Sequence, residues 1–258
     1  MKIIIYAICK NEARFAERFM ASCAGADGVY VLDTGSTDGT PERLRELGAV
    51  VKEQVIDPWR FDVARNASLD MLPDDTDVCI CLDLDEVLCP GWREALEAAW
   101  APGTPRARYT YVWSHTPDGG DGVVFFADKI HARHGYRWKH PVHEVLTPDR
   151  AESCITVPAL RVEHWPDSSK SRGQYLPLLE LSAAEDPDDD RNMHYLGREY
   201  MFHGRWGDAM ATLMRHLSMP TATWAAERAA SMRYIARCCD ALGDWRSAAY
   251  WLSLIHIS

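Results

Sequence analysis

Three carboxylates close an apolar run in Cys79-Ile80-Cys81-Leu82-Asp83-Leu84-Asp85-Glu86, two of them one residue apart. The run reads as a strand buried on both faces. Carboxylates at the end of such a strand stand on the rim of an open α/β sheet, where ligands bind. Three acids so close together repel unless a cation joins them, and oxygen ligands favour Mg2+ or Mn2+. An acidic strand exit that only keeps the edge wet has the same local spelling, so the rest of the chain must decide.

Two more apolar runs end in polar, turn-forming sequence: Cys9-Lys10-Asn11 after the first and Asp33-Thr34-Gly35-Ser36 after the second. In a parallel sheet all three exits share one edge. No GxGxxG follows the first strand, which argues against a dinucleotide site. Further on, Asp128 to Glu144 is rich in His, Arg, Lys and aromatic residues within an acidic protein. Such a stretch could hold a diphosphate and stack a sugar, or be a solvated loop with aromatic anchors. His164 ends another apolar run, as Asp83 does, and is a candidate third metal ligand. Lys170 and Arg172 could reach a diphosphate from a loop.

The elements that must position these residues alternate. Lys2–Ile8, Gly28–Leu32, Ala49–Val55 and Asp77–Leu82 read as strands. Glu12–Ala24, Pro41–Leu47 and Phe61–Leu72 read as helices, with Thr40 as N-cap before Pro41. That alternation predicts a mainly parallel α/β sheet. A helix over 90–100 is followed by Arg108–His115, a Gly-rich turn and Val123–Ala127, which predict a mixed or antiparallel second half, with a last strand at Leu160–His164.

Composition sets limits. The 258 residues carry 38 acids against 28 bases, a net charge of -10, which argues against a nucleic-acid partner. No apolar stretch approaches the length of a membrane span. The eight cysteines form no CxxC pair and no zinc spacing; free thiols in a reducing cytoplasm are the expectation.

Together, Ala7-Ile8-Cys9-Lys10-Asn11-Glu12, Leu32–Thr40, Ala64-Arg65-Asn66 and Leu82–Glu86 resemble the family 2 glycosyltransferases of the GT-A fold. The resemblance covers residues 2 to about 100 closely and reaches loosely to about 165. It implies metal-dependent, inverting transfer from a nucleoside diphosphate sugar, UDP- or GDP-linked, to an acceptor glycan, lipid or peptide, with Mn2+ or Mg2+ as cofactor. Asp85 matches the metal-binding position and Asp83 the acid facing ribose or metal, while Glu86 is expected to serve the loop. Cys9, Asn11, Asp33 and Arg65 match the nucleotide side. Thr34 departs from the commoner Asp-Asp-Gly-Ser wording and leaves the nucleotide open. An inverting transfer needs a base for the acceptor hydroxyl, and Glu144 is the candidate; the alternative is an ion pair with Arg137 or Lys139.

Past residue 168 the pattern is helical. Gly204-Arg205-Trp206-Gly207-Asp208-Ala209 recurs as Gly243-Asp244-Trp245-Arg246-Ser247-Ala248 at an offset of 39 residues. With Leu196, Gly197, Tyr200 and Leu213, the first copy has tetratricopeptide-like spacing. Two such pairs make a short solenoid, so packing on the first domain or self-association as a homodimer is expected. The organisation predicted is a GT-A domain over 1–168 and a helical module over 169–258. The closing Leu252–Ser258 wording resembles translated sequencing-adapter read-through, and the native chain is expected to extend further. Two rival readings are a sugar nucleotidyltransferase, which lacks its Gly-rich basic loop here, and a catalytically idle repeat adaptor.

Overall fold

The side chains of β1 (Ile3–Cys9), all buried, alternate between two hydrophobic layers. Ile3, Ile5, Ala7 and Cys9 face one cluster with Ala16, Phe19, Leu44, Trp92 and Leu96. Ile4 and Tyr6 face the other with Leu69, Leu72, Tyr136, Trp138 and Leu146. This period of two makes β1 the middle of a three-layer core. The structure is a computed structural model that describes residues 1–167 and 173–255. The chain divides into two compact units, Met1–Lys170 and Ser171–Ser258.

In the first unit β1 is followed by α1 (Ala13–Ser22), β2 (Gly28–Asp33), α2 (Thr40–Glu46), β3 (Val50–Glu53), α3 (Phe61–Leu69) and β4 (Val78–Cys81). Then come β5 (Glu86–Leu88), α4 (Trp92–Ala99), β6 (Arg106–Val112), β7 (Val124–Ala132), β8 (Tyr136–Lys139), β9 (Val145–Pro148) and β10 (Cys154–His164). Eight strands form one sheet in the order β3-β2-β1-β4-β7-β6-β10-β5, and β8 and β9 pair separately. β3, β2, β1 and β4 are mutually parallel. β7 runs antiparallel to β4 and β6, β10 is parallel to β6, and β5 is antiparallel to β10. This is the mixed, mainly parallel α/β architecture of the GT-A kind, followed by a helical region.

One feature of the order decides the site. β5 lies four places from β4, yet only Leu82–Asp85 join them. Four strand spacings make about 19 Å, more than five extended steps of about 3.5 Å can cover. The sheet must therefore curl until its far edge returns to β4. Glu86 at the start of β5 accepts from the Asp83 N–H (2.9 Å) and the Tyr111 hydroxyl (2.7 Å) of β6, so the curl is closed.

The structure corrects three local expectations. β7 continues to Ala132, so the first part of the basic stretch is strand; His131 is fully buried. Its Nε2 receives the Tyr6 hydroxyl (2.9 Å), and Tyr6 in turn accepts from Trp138 Nε1 (3.0 Å). Tyr136 and Trp138 belong to the core, not to a solvated loop. Helix α2 is capped by Gly39 at φ 84, one residue earlier than Thr40; the positive φ suits glycine.

The second unit contains α5 (Tyr175–Glu185), α6 (Asp190–Phe202), α7 (Trp206–Ser218), α8 (Ala225–Ala241) and α9 (Trp245–Leu254). The two copies of the repeated wording occupy equivalent turns: Gly204 (φ 71) separates α6 from α7, and Gly243 (φ 80) separates α8 from α9. Gly197 is forced by packing, since a Cβ there would come within 2.6 Å of Leu213. All eight cysteines are free thiols. Among the described residues no helix is long and apolar enough to cross a membrane.

Candidate functional site at the curled rim

The exits of β1, β2 and β4 meet at one edge, as parallel register requires: Cys9 pairs with Asp33, and Tyr6 with Cys81. Asp33 is buried and spends its carboxylate locally. It accepts from the N–H groups of Gly35 and Ser36 (both 2.9 Å), from the Ser36 hydroxyl and, weakly, from Cys9 Sγ (3.4 Å). Burial and this neighbouring carboxylate push the Cys9 thiol far up. Thr34 turns inward and donates to the Cys9 carbonyl (2.9 Å). Asn11, in the left-handed region at φ 55, accepts from Thr37 N–H (2.7 Å) and donates its own backbone N–H to Ser36 Oγ (2.8 Å). Cys9, Asn11, Asp33 and Thr34 thus build a tight polar loop at the rim.

Arg65 is the hub of the next layer. It projects from α3 and is only 4% exposed. Its Nη2 donates to Asp83 Oδ1 at 2.5 Å and its Nε to Glu144 Oε1 at 3.0 Å. Asn66, the next residue, fixes the surroundings: it bonds both the N–H (2.9 Å) and the carbonyl (2.8 Å) of Trp138. That pins β8, and the chain leading on to Glu144, against α3. The alternative reading of Glu144, an ion pair with Arg137 or Lys139, is not met among the described residues: Glu144 pairs with Arg65, and Arg137 with Asp70 at the surface. Two residues of the intervening loop, His140 (φ 78) and His143 (φ 52), are also left-handed, a local strain of the kind held at functional sites.

Lys129 completes the charge balance around Asp83, and nothing local in the sequence singles it out. The antiparallel pairing Ile80↔Ile130 brings it to the C-terminal end of β4. Its ammonium lies 3.5 Å from Asp83 Oδ2 and 3.3 Å from Glu86 Oε1. Burial alone would raise the Asp83 carboxyl, but Arg65 and Lys129 outweigh it and hold it well below the usual carboxylate range. The same carboxylates keep Arg65 and Lys129 protonated against their own desolvation. Glu86, expected to serve the loop, holds the Asp83 N–H as the loop requires and does so from inside the curl, 1% exposed.

Asp85 faces a different partner. β5 pairs with β10 so that Glu86 lies opposite His164. This places Asp85 Oδ2 3.5 Å from His164 Nε2. That distance is long for a hydrogen bond. It suits two ligands of one ion, which at bond lengths of about 2.1 Å stand about 3 to 3.5 Å apart. His164 Nδ1 lies 3.1 Å from the Trp113 carbonyl, to which it can only donate, leaving the Nε2 lone pair toward Asp85. Burial opposes protonation of this imidazole, yet Asp85 and the Trp113 carbonyl together shift its pKa upward. One carboxylate and one imidazole could share a divalent ion, and the nitrogen suits Mn2+ better than Mg2+. Asp83, engaged by Arg65 and Lys129, does not join them in a cluster of three ligand atoms among the described residues.

Aromatic rings line the approach. Trp113 stacks on His164 with centroids 4.7 Å apart and Tyr111 meets Phe125 at 5.2 Å. Trp113 and Phe125 remain about half exposed, at 50% and 47%. A depression lined by Gly103, Tyr136, Arg150 and Glu152 opens beside Ala132, which pairs with Val78 at the start of β4. It therefore lies at the opposite rim. Lys170 and Arg172 lie outside the described residues.

No family model and no curated protein sequence matches the chain. Among solved structures, S. aureus TarS matches over 96% of this chain and 55% of its own, with a TM-score of 0.52 at 12% identity. Glucosyl-3-phosphoglycerate synthase from Mycobacterium tuberculosis, crystallised with Mn2+, UDP and glucosyl-3-phosphoglycerate, matches over 43% of this chain and 44% of its own. That match has a TM-score of 0.36 at 23% identity, and the same enzyme solved with Mg2+ and UDP matches similarly. The chain spans under half the length of the synthase and about half that of TarS. The likeness to TarS is one of fold.

Proposed function

We propose that this chain is a nucleotide-sugar glycosyltransferase that needs a divalent ion and inverts the transferred centre. The observation that carries the reading is the division of labour at the exit of β4: Asp83 is held by Arg65 and Lys129, while Asp85 faces His164 across 3.5 Å. A wet strand end would need neither a buried guanidinium and a partly buried ammonium nor an imidazole held by a backbone carbonyl. The four motif stretches that resemble family 2 glycosyltransferases meet at this rim and support the same reading.

A divalent ion on Asp85, with His164 and Asp83 beside it, would offset charge developing on a diphosphate leaving group. Asp83 would face ion or ribose, held there by Arg65. The Cys9, Asn11, Asp33 and Thr34 loop would shape the nucleotide side of the pocket. Lys170 and Arg172 remain candidates for the diphosphate. Glu144 is the proposed base for the acceptor hydroxyl, and its bond to Arg65 ties its position to that of Asp83. The acceptor, a glycan, lipid or peptide hydroxyl, would approach past Trp113 and Phe125. We further propose the division into a catalytic domain over 1–168 and a tetratricopeptide-like module over 169–258, cytoplasmic action, and self-association through the exposed Trp245 and Tyr250.

Incubation with a panel of UDP- and GDP-sugars, with and without Mn2+, tests the proposal. Metal-dependent release of nucleoside diphosphate is the expected result. Pyrophosphate release from a nucleoside triphosphate would move the chain to the nucleotidyltransferases. Absence of metal-dependent binding to either nucleotide would leave an adaptor.

A further inference from the structure

The helical unit holds a second group of metal-competent side chains, remote in sequence from the β4 exit. Asp190 opens α6, His216 lies in the last turn of α7, and Glu227 lies in the first turn of α8. One ligand atom from each lies within 4.8 Å of the other two. Among the described residues this is the one trio of its kind. His216 is fully buried and Glu227 is 8% exposed. Neither the Asp190 nor the Glu227 carboxylate has a hydrogen-bond or ion-pair partner among the described residues.

The imidazole is the informative member. His216 Nδ1 lies 3.0 Å from Ser231 Oγ, and that hydroxyl lies 2.8 Å from His194 Nδ1. A hydroxyl has one proton, so it donates to one ring and accepts from the other. When it accepts from His216, the His216 Nε2 carries a lone pair. This Nε2 is buried and has no hydrogen-bond partner. A buried nitrogen left unpaired is costly, and Asp190 adds repulsion on Glu227 that Arg191 and Arg198 oppose. A cation shared by the three ligand atoms would pair that nitrogen and screen the two carboxylates from each other.

We infer that Asp190, His216 and Glu227 form a binding site for a divalent transition-metal ion that ties together the ends of α6, α7 and α8. Two carboxylates and one neutral imidazole balance a 2+ ion in charge, and the mixed oxygen and nitrogen set suits Zn2+ or Mn2+ over Ca2+. Bond lengths of about 2.1 Å would draw the three atoms inward by rotation of the side chains. Ser231 is the positioning residue that sets the tautomer and orientation of His216. Burial lowers the His216 pKa, with Asp190 opposing, so the ring is available as a ligand at neutral pH.

The test uses the full chain carrying Asp85→Ala and His164→Ala, which silences the rim site and separates the two readings. After chelator stripping, Zn2+ is titrated by calorimetry and the retained metal is counted after desalting. One equivalent is expected. Adding Glu227→Gln, which keeps size and shape, should weaken binding at least thirtyfold with helical circular dichroism unchanged. Adding Ser231→Ala should weaken it about tenfold, and the His216 ring nitrogen resonances should move on adding zinc. Failure of the doubly substituted chain to bind zinc overturns the inference, as does equal binding by the Glu227→Gln chain. Metal-dependent sugar transfer by the unsubstituted chain is unaffected by either outcome.

Discussion

His164 Nε2 lies 3.5 Å from Asp85 Oδ2, with the other ring nitrogen on the Trp113 carbonyl. The two residues are 79 positions apart and meet because β5 folds back beside β10. If this pair holds the ion, His164→Ala should weaken Mn2+ binding at least tenfold, and Asp85→Ala should abolish metal dependence of donor binding. Calorimetric titration of Mn2+ in the presence of UDP measures both. Equal Mn2+ affinity in both variants would remove the pair from the metal site.

Arg65 joins Asp83 to Glu144 through one buried guanidinium. Replacing it by Met strands two partly buried carboxylates. Removing one partner of a buried pair costs about 3–5 kcal/mol; here partial exposure of Asp83 and the remaining Lys129 should hold the loss near about 3. Urea unfolding at pH 7 reads it. Arg65→Lys should recover only part, because an ammonium cannot reproduce the fork across two carboxylates.

Glu144→Gln separates two roles. A base should lose about a hundredfold or more in kcat while donor affinity stays within about twofold. If Glu144 only positions Arg65, donor affinity should fall along with kcat. Steady-state transfer kinetics and calorimetry with the nucleoside diphosphate distinguish these outcomes.

His131 should make the first unit sensitive to acid. Burial drives its pKa down to about 3, with the bond to the Ala132 carbonyl opposing. The unfolded ring takes up a proton near pH 6.5 while the folded ring stays neutral, so stability is full above that pH and falls as pH drops toward 3. The loss at pH 5 is about 2 kcal/mol. Urea midpoints at pH 7.5 and 5 should differ accordingly, and His131→Gln should be less stable at pH 7.5 yet flatter with pH. His194 in the second unit, also buried and with its pKa lowered to about 3, acts in the same direction.

Much of the architecture is written locally. Ile3–Cys9 and Val78–Cys81 are apolar on both faces because both faces are covered, and Gly, Ser, Thr and Asp mark the exits. Those signals predicted the parallel half, the shared edge and the stretch Asp83-Leu84-Asp85. The helix turns at Gly204 and Gly243 were likewise legible from the repeated wording. The rest depends on pairing across a curled sheet. Lys129 reads as one basic residue among many until β7 runs antiparallel to β4, and Glu86 reads as a loop acid until the curl buries it against Tyr111. The basic stretch misleads because its Tyr136 and Trp138 are spent on the core. The same holds for His216, whose two carboxylate neighbours come from other helices. Sequence determined where the chain turns and which residues can carry charge, because those are properties of a few neighbouring residues. Which charge meets which was decided by the tertiary structure, because strand order and helix packing bring together positions that no local pattern connects.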